Sequence, residues 1–240
     1  MSDPASDLGV EVLAFDVFGT VVDWRSSIIA ALEDFGRRRG LSADWAGLTD
    51  DWRAAYVPNM QRVRSGALPW TNLDGLHRLA LDDLLARHGL DPDEADRAWI
   101  NTVWHRLDPW PDSVAGLRRL KRRFVLTPLS NGSVALLTHM AKRAGLPWDL
   151  ILSAELCRHY KPDPETYRMT FELLQCRPEQ VMLVAAHNDD LVHAARQGLR
   201  TAFVARPTEY GPRQVKDFAA EHPFDLVVAS LEELAARLDC

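Results

Sequence analysis

The sequence predicts an α/β fold, a doubly wound parallel sheet with a helical cap inserted after its first strand. Three observations predict it. Short apolar runs alternate with helical patterns over residues 113–238. One further apolar run, Val10–Phe15, stands alone near the start. Between Trp24 and Trp104 no convincing strand run occurs, and every periodic segment is helical. Strand–helix alternation gives right-handed crossovers and a parallel sheet covered on both faces. An all-helical stretch after the first strand then has to sit over an edge of that sheet.

The elements follow in order. Val10–Phe15 is a short, continuously apolar strand. Ser26–Arg39, Thr49–Val63, Asn72–Arg87 and Asp91–Trp104 read as amphipathic helices separated by Gly- and Pro-bearing breaks. The last opens on a start signal, with Asp91 as N-cap and Pro92 at the first helical position. Asp108-Pro109-Trp110-Pro111-Asp112 reads as a stiff return linker, because two prolines fix φ and bias their neighbours to extended geometry. After it come strand candidates Phe124–Leu129, Leu150–Leu152, Val181–Ala185, Thr201–Val204 and Leu226–Val228. The helices among them are Ser113–Arg122, Val134–Arg143, Glu165–Leu174, Leu191–Gln197 and Leu231–Leu238. This divides the chain into a Rossmann-like core, residues 1–23 with 108–240, and a cap, residues 24–107. No internal repeat or low-complexity segment interrupts it.

Composition narrows the function classes. The 240 residues are 47% hydrophobic and 26% charged, an ordinary globular balance. A net charge of -6 argues against non-specific nucleic-acid binding. The one basic cluster, Arg118-Arg119-Leu120-Lys121-Arg122-Arg123, reads as cover for the exposed end of a helix. Three cysteines (Cys157, Cys176, Cys240) at no metal-ligand spacing argue against a disulfide framework or structural zinc, and fit a reducing cytoplasm. The start, Met1-Ser2-Asp3-Pro4, is acidic with no apolar h-region, and no apolar stretch reaches the ~18 residues of a membrane span. A cytoplasmic protein with no membrane partner is expected. A homodimer is the common outcome where such chains associate.

Ligands of parallel sheets bind at the carboxyl ends of the strands. Asp16, Ser130-Asn131 and His187 to Asp190 end three of the apolar runs and therefore converge there. Asp16 precedes a glycine turn, where loop amides orient a carboxylate; Phe18 stands two residues on. Lys161 lies on a loop that Pro162 keeps extended. On local grounds Ser130 or Asn131 could equally cap the helix beginning near Val134, and Thr20 could be a turn hydroxyl bonding local backbone.

Four segments together resemble the haloacid dehalogenase superfamily, and within it the 2-haloacid dehalogenases of the L-specific type. They are Phe15-Asp16-Val17-Phe18-Gly19-Thr20, Leu129-Ser130-Asn131-Gly132, Tyr160-Lys161-Pro162-Asp163 and Val184-Ala185-Ala186-His187-Asn188-Asp189-Asp190. The resemblance spans Val10 to about Pro212. It implies that Asp16 displaces halide from C2 of a short 2-haloalkanoic acid, and that water then cleaves the aspartyl ester. It makes Thr20 and Lys161 supports of the nucleophile. Ser130 and Asn131 become donors to a carboxylate or halide, and Asp190 an acid that positions water. His187 stands where better-known members carry Asn, and is expected to share the water-activating role with Asp190. The family's cap arginine matches Arg53 best, ahead of Arg62 and Arg64. Phe18, Trp70, Trp52 and Tyr167 are candidate pocket residues; Tyr167 reads equally well as a core aromatic, and aromatics at helical spacing such as Trp52 and Trp70 are more often plain core.

The resemblance implies no cofactor and no metal. Superfamily phosphatases carry a second aspartate where this chain has Phe18, and a Gly-Asp pair where it has Ala185-Ala186. Mg²⁺ needs near-octahedral oxygen ligation. Three rivals stand beside the dehalogenase reading. They are a phosphatase, which those residues contradict; a hydrolase of another activated carbon, such as a small ring amino acid; and a non-catalytic binding protein.

Overall fold

The computed structural model describes residues 8–240, so Met1-Ser2-Asp3-Pro4 lies outside the described residues. Strand β1 (Val12–Phe15) is buried along its whole length. Leu13 and Phe15 pack into one apolar cluster, Val12 and Ala14 into another. A strand buried on both faces belongs at the centre of a parallel sheet. Strand β2 (Val22–Asp23) leads into the cap, which holds α1 (Trp24–Arg39), α2 (Trp45–Ala54), α3 (Tyr56–Arg64), α4 (Leu73–Arg87) and α5 (Glu94–Asn101). Asp23 caps α1 by accepting from the Ser26 amide at 3.0 Å, and Gly40 ends it at φ 65°. A tight 3-10 turn, Thr102–Arg106, hands the chain to β3 (Asp108–Pro109), which pairs antiparallel with β2 and closes the neck of the cap.

Three details of the cap differ from the sequence expectation. The helix expected over Thr49–Val63 is two, broken at Ala55. Pro58 has no amide to offer the Ala54 carbonyl and its ring crowds that carbonyl, so one helix cannot run through. The helix expected to start at Asp91 starts two residues later: Asp93 accepts from the Asp96 amide at 2.8 Å, while Asp91 is drawn off by Arg97 at 2.9 Å. The return linker is also more than proline-stiffened, because Trp110 donates its amide to the Val21 carbonyl.

The core continues through α6 (Ser113–Leu120), β4 (Val125–Ser130), α7 (Val134–Ala144), β5 (Leu152–Ser153), α8 (Ala154–Cys157), α9 (Pro164–Leu173), β6 (Val181–Ala185), α10 (Asn188–Ala195), β7 (Arg200–Val204), β8 (Leu226–Val228) and α11 (Leu231–Arg237). The main sheet runs β5-β4-β1-β6-β7-β8, all parallel. Leu117, Leu136, Met140 and Leu234 of α6, α7 and α11 pack on one face; Tyr167, Met169, Leu191 and Ala194 of α9 and α10 pack on the other. This is the doubly wound architecture the alternation predicted. Helix α10 starts earlier than expected, and Asp189 and Asp190 sit in its first turn, where carboxylates suit the helix dipole. Helix α7 is capped by Ser133, which accepts from the Leu136 amide at 3.1 Å, rather than by Ser130 or Asn131. The basic cluster ties down the C-terminus, with Arg119 donating to the Cys240 carbonyl at 2.7 Å and Arg123 to that of Leu238 at 2.9 Å.

Helices α6 and α11 meet at Gly116, where an added Cβ would stand 2.5 Å from the Leu231 carbonyl carbon. Backbone cannot yield as a flexible side chain does. Gly116→Ala is therefore expected to destabilise the fold by about 1–3 kcal/mol, the usual cost of overpacking, read as a lowered denaturation midpoint at unchanged slope.

Candidate active site

The site is assembled where β1, β4 and β6 end under the cap. Asp16 follows β1 directly, its amide held by the Val184 carbonyl at 3.0 Å. The chain then turns at Gly19, φ 85°, where any Cβ would collide with the Glu209 carboxylate. This turn sends Thr20 back beneath Asp16. Its hydroxyl donates to Asp16 Oδ2 at 2.8 Å and accepts from the Ala186 amide at 2.8 Å. Thr20 thus locks β1 to the end of β6.

Four charged groups surround that carboxylate. Lys161 Nζ lies 3.5 Å from Asp16 Oδ1 and 2.6 Å from Asp190 Oδ2. Asp190 Oδ1 accepts from the Tyr167 hydroxyl at 2.7 Å. Both oxygens of Asp190 are therefore engaged in holding the lysine and the tyrosine. His187 Nδ1 is 3.1 Å from Asp16 Oδ2, and its Nε2 is 2.9 Å from Glu209 Oε2. Glu209, 1% exposed, also accepts from Trp24 Nε1 at 3.0 Å. The result is a continuous Asp16–His187–Glu209 relay of carboxylate, imidazole and carboxylate.

The proton affinities follow. Burial would raise Asp16, but the Lys161 charge, His187 and the Thr20 hydroxyl outweigh it and hold the carboxyl far below its ordinary 3.8. Burial would lower His187, but the Glu209 charge and the bonds to both carboxylates push it well above its ordinary 6.5. Burial likewise opposes the charge on Lys161, and Asp190 with Asp16 reverses it, so its pKa rises. At neutral pH the resting site holds a carboxylate nucleophile and an imidazolium. His187 therefore contributes stability that is complete below about pH 6.5 and is lost as pH rises through its elevated pKa. His187→Gln is expected to flatten the alkaline limb of the stability–pH curve, measured by thermal unfolding between neutral and alkaline pH.

A cavity of about 570 Å³ opens onto this cluster, lined by Asp16, Phe18, Arg53, Asn131, Lys161, Tyr167, His187 and Asp190 among others. Phe18 packs edge-on to Tyr56 and Trp104 at centroid distances of 6.4 and 5.6 Å. Asn131 accepts from the Lys161 amide through its Oδ1 at 2.8 Å and so sets the lysine loop. Arg53 comes down from α2, buried among Tyr56, Trp24 and Tyr210 at 4.3, 5.4 and 6.0 Å from the ring centroids. Its Nε has no hydrogen-bond partner among the described residues. Burial opposes the guanidinium charge, and the two tyrosines with Glu209 restore it, leaving its pKa raised. A buried, incompletely satisfied cation has a donor left to offer a small anion. Arg62 and Arg64 face elsewhere, toward Asn59 and Asp163.

Two expected pocket residues stand apart. Ser130 is fully buried and its hydroxyl accepts from the Gly132 amide at 3.2 Å, so it shapes the loop and does not line the cavity. Trp70 packs tilted against Tyr160 at 4.9 Å and lines a separate cleft with Val63, Arg64 and Arg158. Trp52 lies behind the cavity, its Nε1 spent on the His77 carbonyl at 3.0 Å. The sequence reading missed Trp24, Tyr56, Glu209 and Tyr210. Glu209 and Tyr210 lie on the loop after β7, a fourth strand end at the carboxyl edge, and the rule that singled out Asp16, Asn131 and His187 extends to them. Phe18 and Ala186, both buried, carry no side-chain oxygen where a phosphatase-type Mg²⁺ site has aspartates, so the side chains fit that ion poorly.

The haloacid dehalogenase-like hydrolase family model matches residues 10–198. The chain belongs to that family. It is 31% identical over 202 residues to an (S)-2-haloacid dehalogenase of Xanthobacter autotrophicus, covering 82% of this chain and 76% of that protein. A solved L-2-haloacid dehalogenase superposes with TM-score 0.94 at 49% identity, covering 96% of this chain and 99% of the other. A solved defluorinating L-2-haloacid dehalogenase superposes with TM-score 0.94 at 44% identity, covering 100% and 99%. Family membership makes the chain a hydrolase and accounts for the cap inserted after β1. Among the described residues no helix is long and apolar enough to cross a membrane.

Proposed function

We propose that this protein hydrolyses short 2-haloalkanoic acids to 2-hydroxy acids without a metal, through an ester on Asp16, with residues 24–107 acting as the cap over the substrate. The observation that carries the reading is the state of the Asp16 carboxylate. Oδ2 is occupied by Thr20 and His187, while among the described residues Oδ1 faces Lys161 alone, at 3.5 Å. Oδ1 is the free nucleophile. It bonds to C2 as the carbon–halogen bond breaks, the halide departing with the bonding pair toward Arg53. That displacement inverts C2; water then adds to the Asp16 carbonyl carbon and expels the 2-hydroxy acid with its C2–O bond intact. A halide leaves without a proton, which is why Phe18 suffices where a leaving alkoxide would need an acid.

Both Asp190 oxygens already accept, from Lys161 and Tyr167, which favours a holding role for Asp190. His187 takes the water step with Glu209. Esterification removes the Asp16 charge that helps keep His187 protonated. Nδ1 then releases its proton to solvent and becomes a base that takes a proton from the attacking water, with Nε2–H held by Glu209. One experiment tests the ester directly. A single turnover of excess enzyme on L-2-chloropropionate in ¹⁸O-water, with EDTA present, is expected to place the label in Asp16 and none in the product hydroxyl. Label in the product would mean direct attack by water. No halide from L- or D-2-chloropropionate, chloroacetate or fluoroacetate would end the dehalogenase reading. We place the enzyme in the cytoplasm, as its three free cysteines suit, and as a homodimer, which sedimentation will test.

A further inference from the structure

Outside the cavity, one buried arginine joins the two loops that carry the ends of the Asp16–His187–Glu209 relay. Arg206 follows β7 by two residues, is 7% exposed and does not line the cavity. Its Nε donates to the Thr20 carbonyl at 3.0 Å, and its two Nη atoms grip both oxygens of Asp112 at 2.8 and 2.9 Å. Asp112 Oδ2 also accepts from the Leu231 amide at 2.7 Å, which fixes it between the starts of α6 and α11. The Trp110 ring lies 5.4 Å from the guanidinium, and its Nε1 donates to the Gly19 carbonyl at 2.8 Å. The Val21 carbonyl accepts from the Ser113 hydroxyl at 2.7 Å. Three successive carbonyls of the nucleophile turn are thus held by one group of side chains, and the middle one, on Thr20, is held by Arg206.

The main chain of the same residue holds the other loop. The Arg206 carbonyl accepts from the Glu209 amide at 3.2 Å and from Gln214 Nε2 at 3.1 Å. Gln214 Oε1 in turn accepts from the Tyr210 amide at 3.2 Å, so Gln214 braces the turn that presents Glu209. A buried ion pair adds little stability over apolar residues of equal volume, and a lysine would neutralise Asp112 as a point charge. What calls for a guanidinium here is a rigid planar fork that meets a carboxylate and a carbonyl at fixed angles.

We propose that Arg206 is a positioning residue for the water step: its side chain clamps Thr20, its main chain clamps Glu209, and together these set the span from Asp16 to Glu209 that His187 bridges. The proposal rests on the aspartyl-ester reading above. Arg206 acts through Thr20, which donates to Asp16 at 2.8 Å, and through Glu209, which meets His187 at 2.9 Å. Without the clamp the Thr20 end stays tied by the Ala186 amide and by Trp110 on its neighbour Gly19. The Glu209 loop keeps the Ala205 amide on the Val228 carbonyl, at 3.0 Å, but loses its side-chain tie to the nucleophile turn. The Glu209 end is therefore the one that shifts, and the relay opens at Nε2 of His187. Asp16 Oδ1, Lys161 and Arg53 keep their places, so alkylation is spared.

The test follows a single turnover of L-2-chloropropionate on the full chain by rapid quench, with halide and 2-hydroxy acid measured separately. It also titrates His187 in the resting enzyme by NMR of its imidazole. In Arg206→Lys, halide is expected at the wild-type rate and the hydroxy acid about 10²-fold more slowly, the scale of an ångström-sized misplacement. His187 is expected to titrate closer to its ordinary 6.5, because the Glu209 charge that raises it has moved off. Leu238→Ala hollows the core beyond the far end of α11 and controls for lost stability; it is expected to alter neither readout. Should Arg206→Lys not fold, Gln214→Leu removes the other brace of the Glu209 turn and is held to the same outcomes. Halide and hydroxy acid slowed together, hydroxy acid formed at the wild-type rate, His187 titrating as in wild type, or the same split in Leu238→Ala would overturn the proposal. Absence of halide from wild type would instead sink the aspartyl-ester reading, and the His187 titration would still decide whether Arg206 sets the Glu209 span.

Discussion

Asp16→Asn is expected to lower halide release on the order of 10⁴-fold or more, the scale on which removing a covalent nucleophile acts, while the protein stays folded. The carboxylate sits where nothing else can replace it. Its Oδ1 accepts no hydrogen bond among the described residues, and Asp190 is poorly placed to substitute because Lys161 and Tyr167 hold both of its oxygens. An amide oxygen is a poor nucleophile and carries no charge for Lys161 to orient. Folding survives because no cation is stranded: Lys161 keeps Asp190 at 2.6 Å, and His187 keeps Glu209 at 2.9 Å. Loss of one buried charge partner while the other remains is far milder than leaving a charge unpaired. Initial rates with 2-chloropropionate, followed by halide electrode beside thermal unfolding, check both halves. Activity within tenfold of wild type would remove Asp16 from the chemistry.

The sheet was legible because its central strands are buried on both faces, and unbroken apolar runs such as Val181–Ala185 announce that directly. Strands β2 and β3 were not legible, since two residues carry no periodicity and their pairing is fixed only by the neck of the cap. The break at Ala55 was written in Pro58, but the apolar pattern on either side reads as continuous. Within the site, the residues at strand ends were found because topology alone brings them together. Arg53 was found by order along the chain. Trp70 shows the limit of that approach, because an aromatic at helical spacing does not reveal which cleft its loop turns toward. Glu209 was overlooked because a glutamate between threonine and tyrosine in a loop has no distinguishing neighbour. Its significance comes from Gly19, whose missing side chain lets the carboxylate approach the nucleophile loop.

Glu209 also supports the second large expectation. Glu209→Gln is expected to slow steady-state turnover about 10²–10⁴-fold, the range of general-base contributions, and to do so unevenly. The alkylation step uses Asp16, Lys161 and Arg53, none of which depends on Glu209 for its position. One equivalent of halide should therefore appear in a fast burst, after which the Asp16 ester persists. The stall has an electronic cause. In wild type Glu209 accepts from Nε2–H, leaving Nδ1 to take the proton of water once Asp16 is esterified. Glutamine can point its amide nitrogen at His187, since its oxygen retains the Trp24 indole, held at 3.0 Å in the parent. Nε2 then accepts, Nδ1 carries the proton, and the imidazole faces the ester as a donor with no base to offer. Rapid-quench halide analysis would show the burst, and intact-protein mass measurement the added 1-carboxyethyl group on Asp16. A variant that slows without a burst would place Glu209 in the alkylation step instead. One that turns over normally would leave His187 without a working partner and return water activation to Asp190.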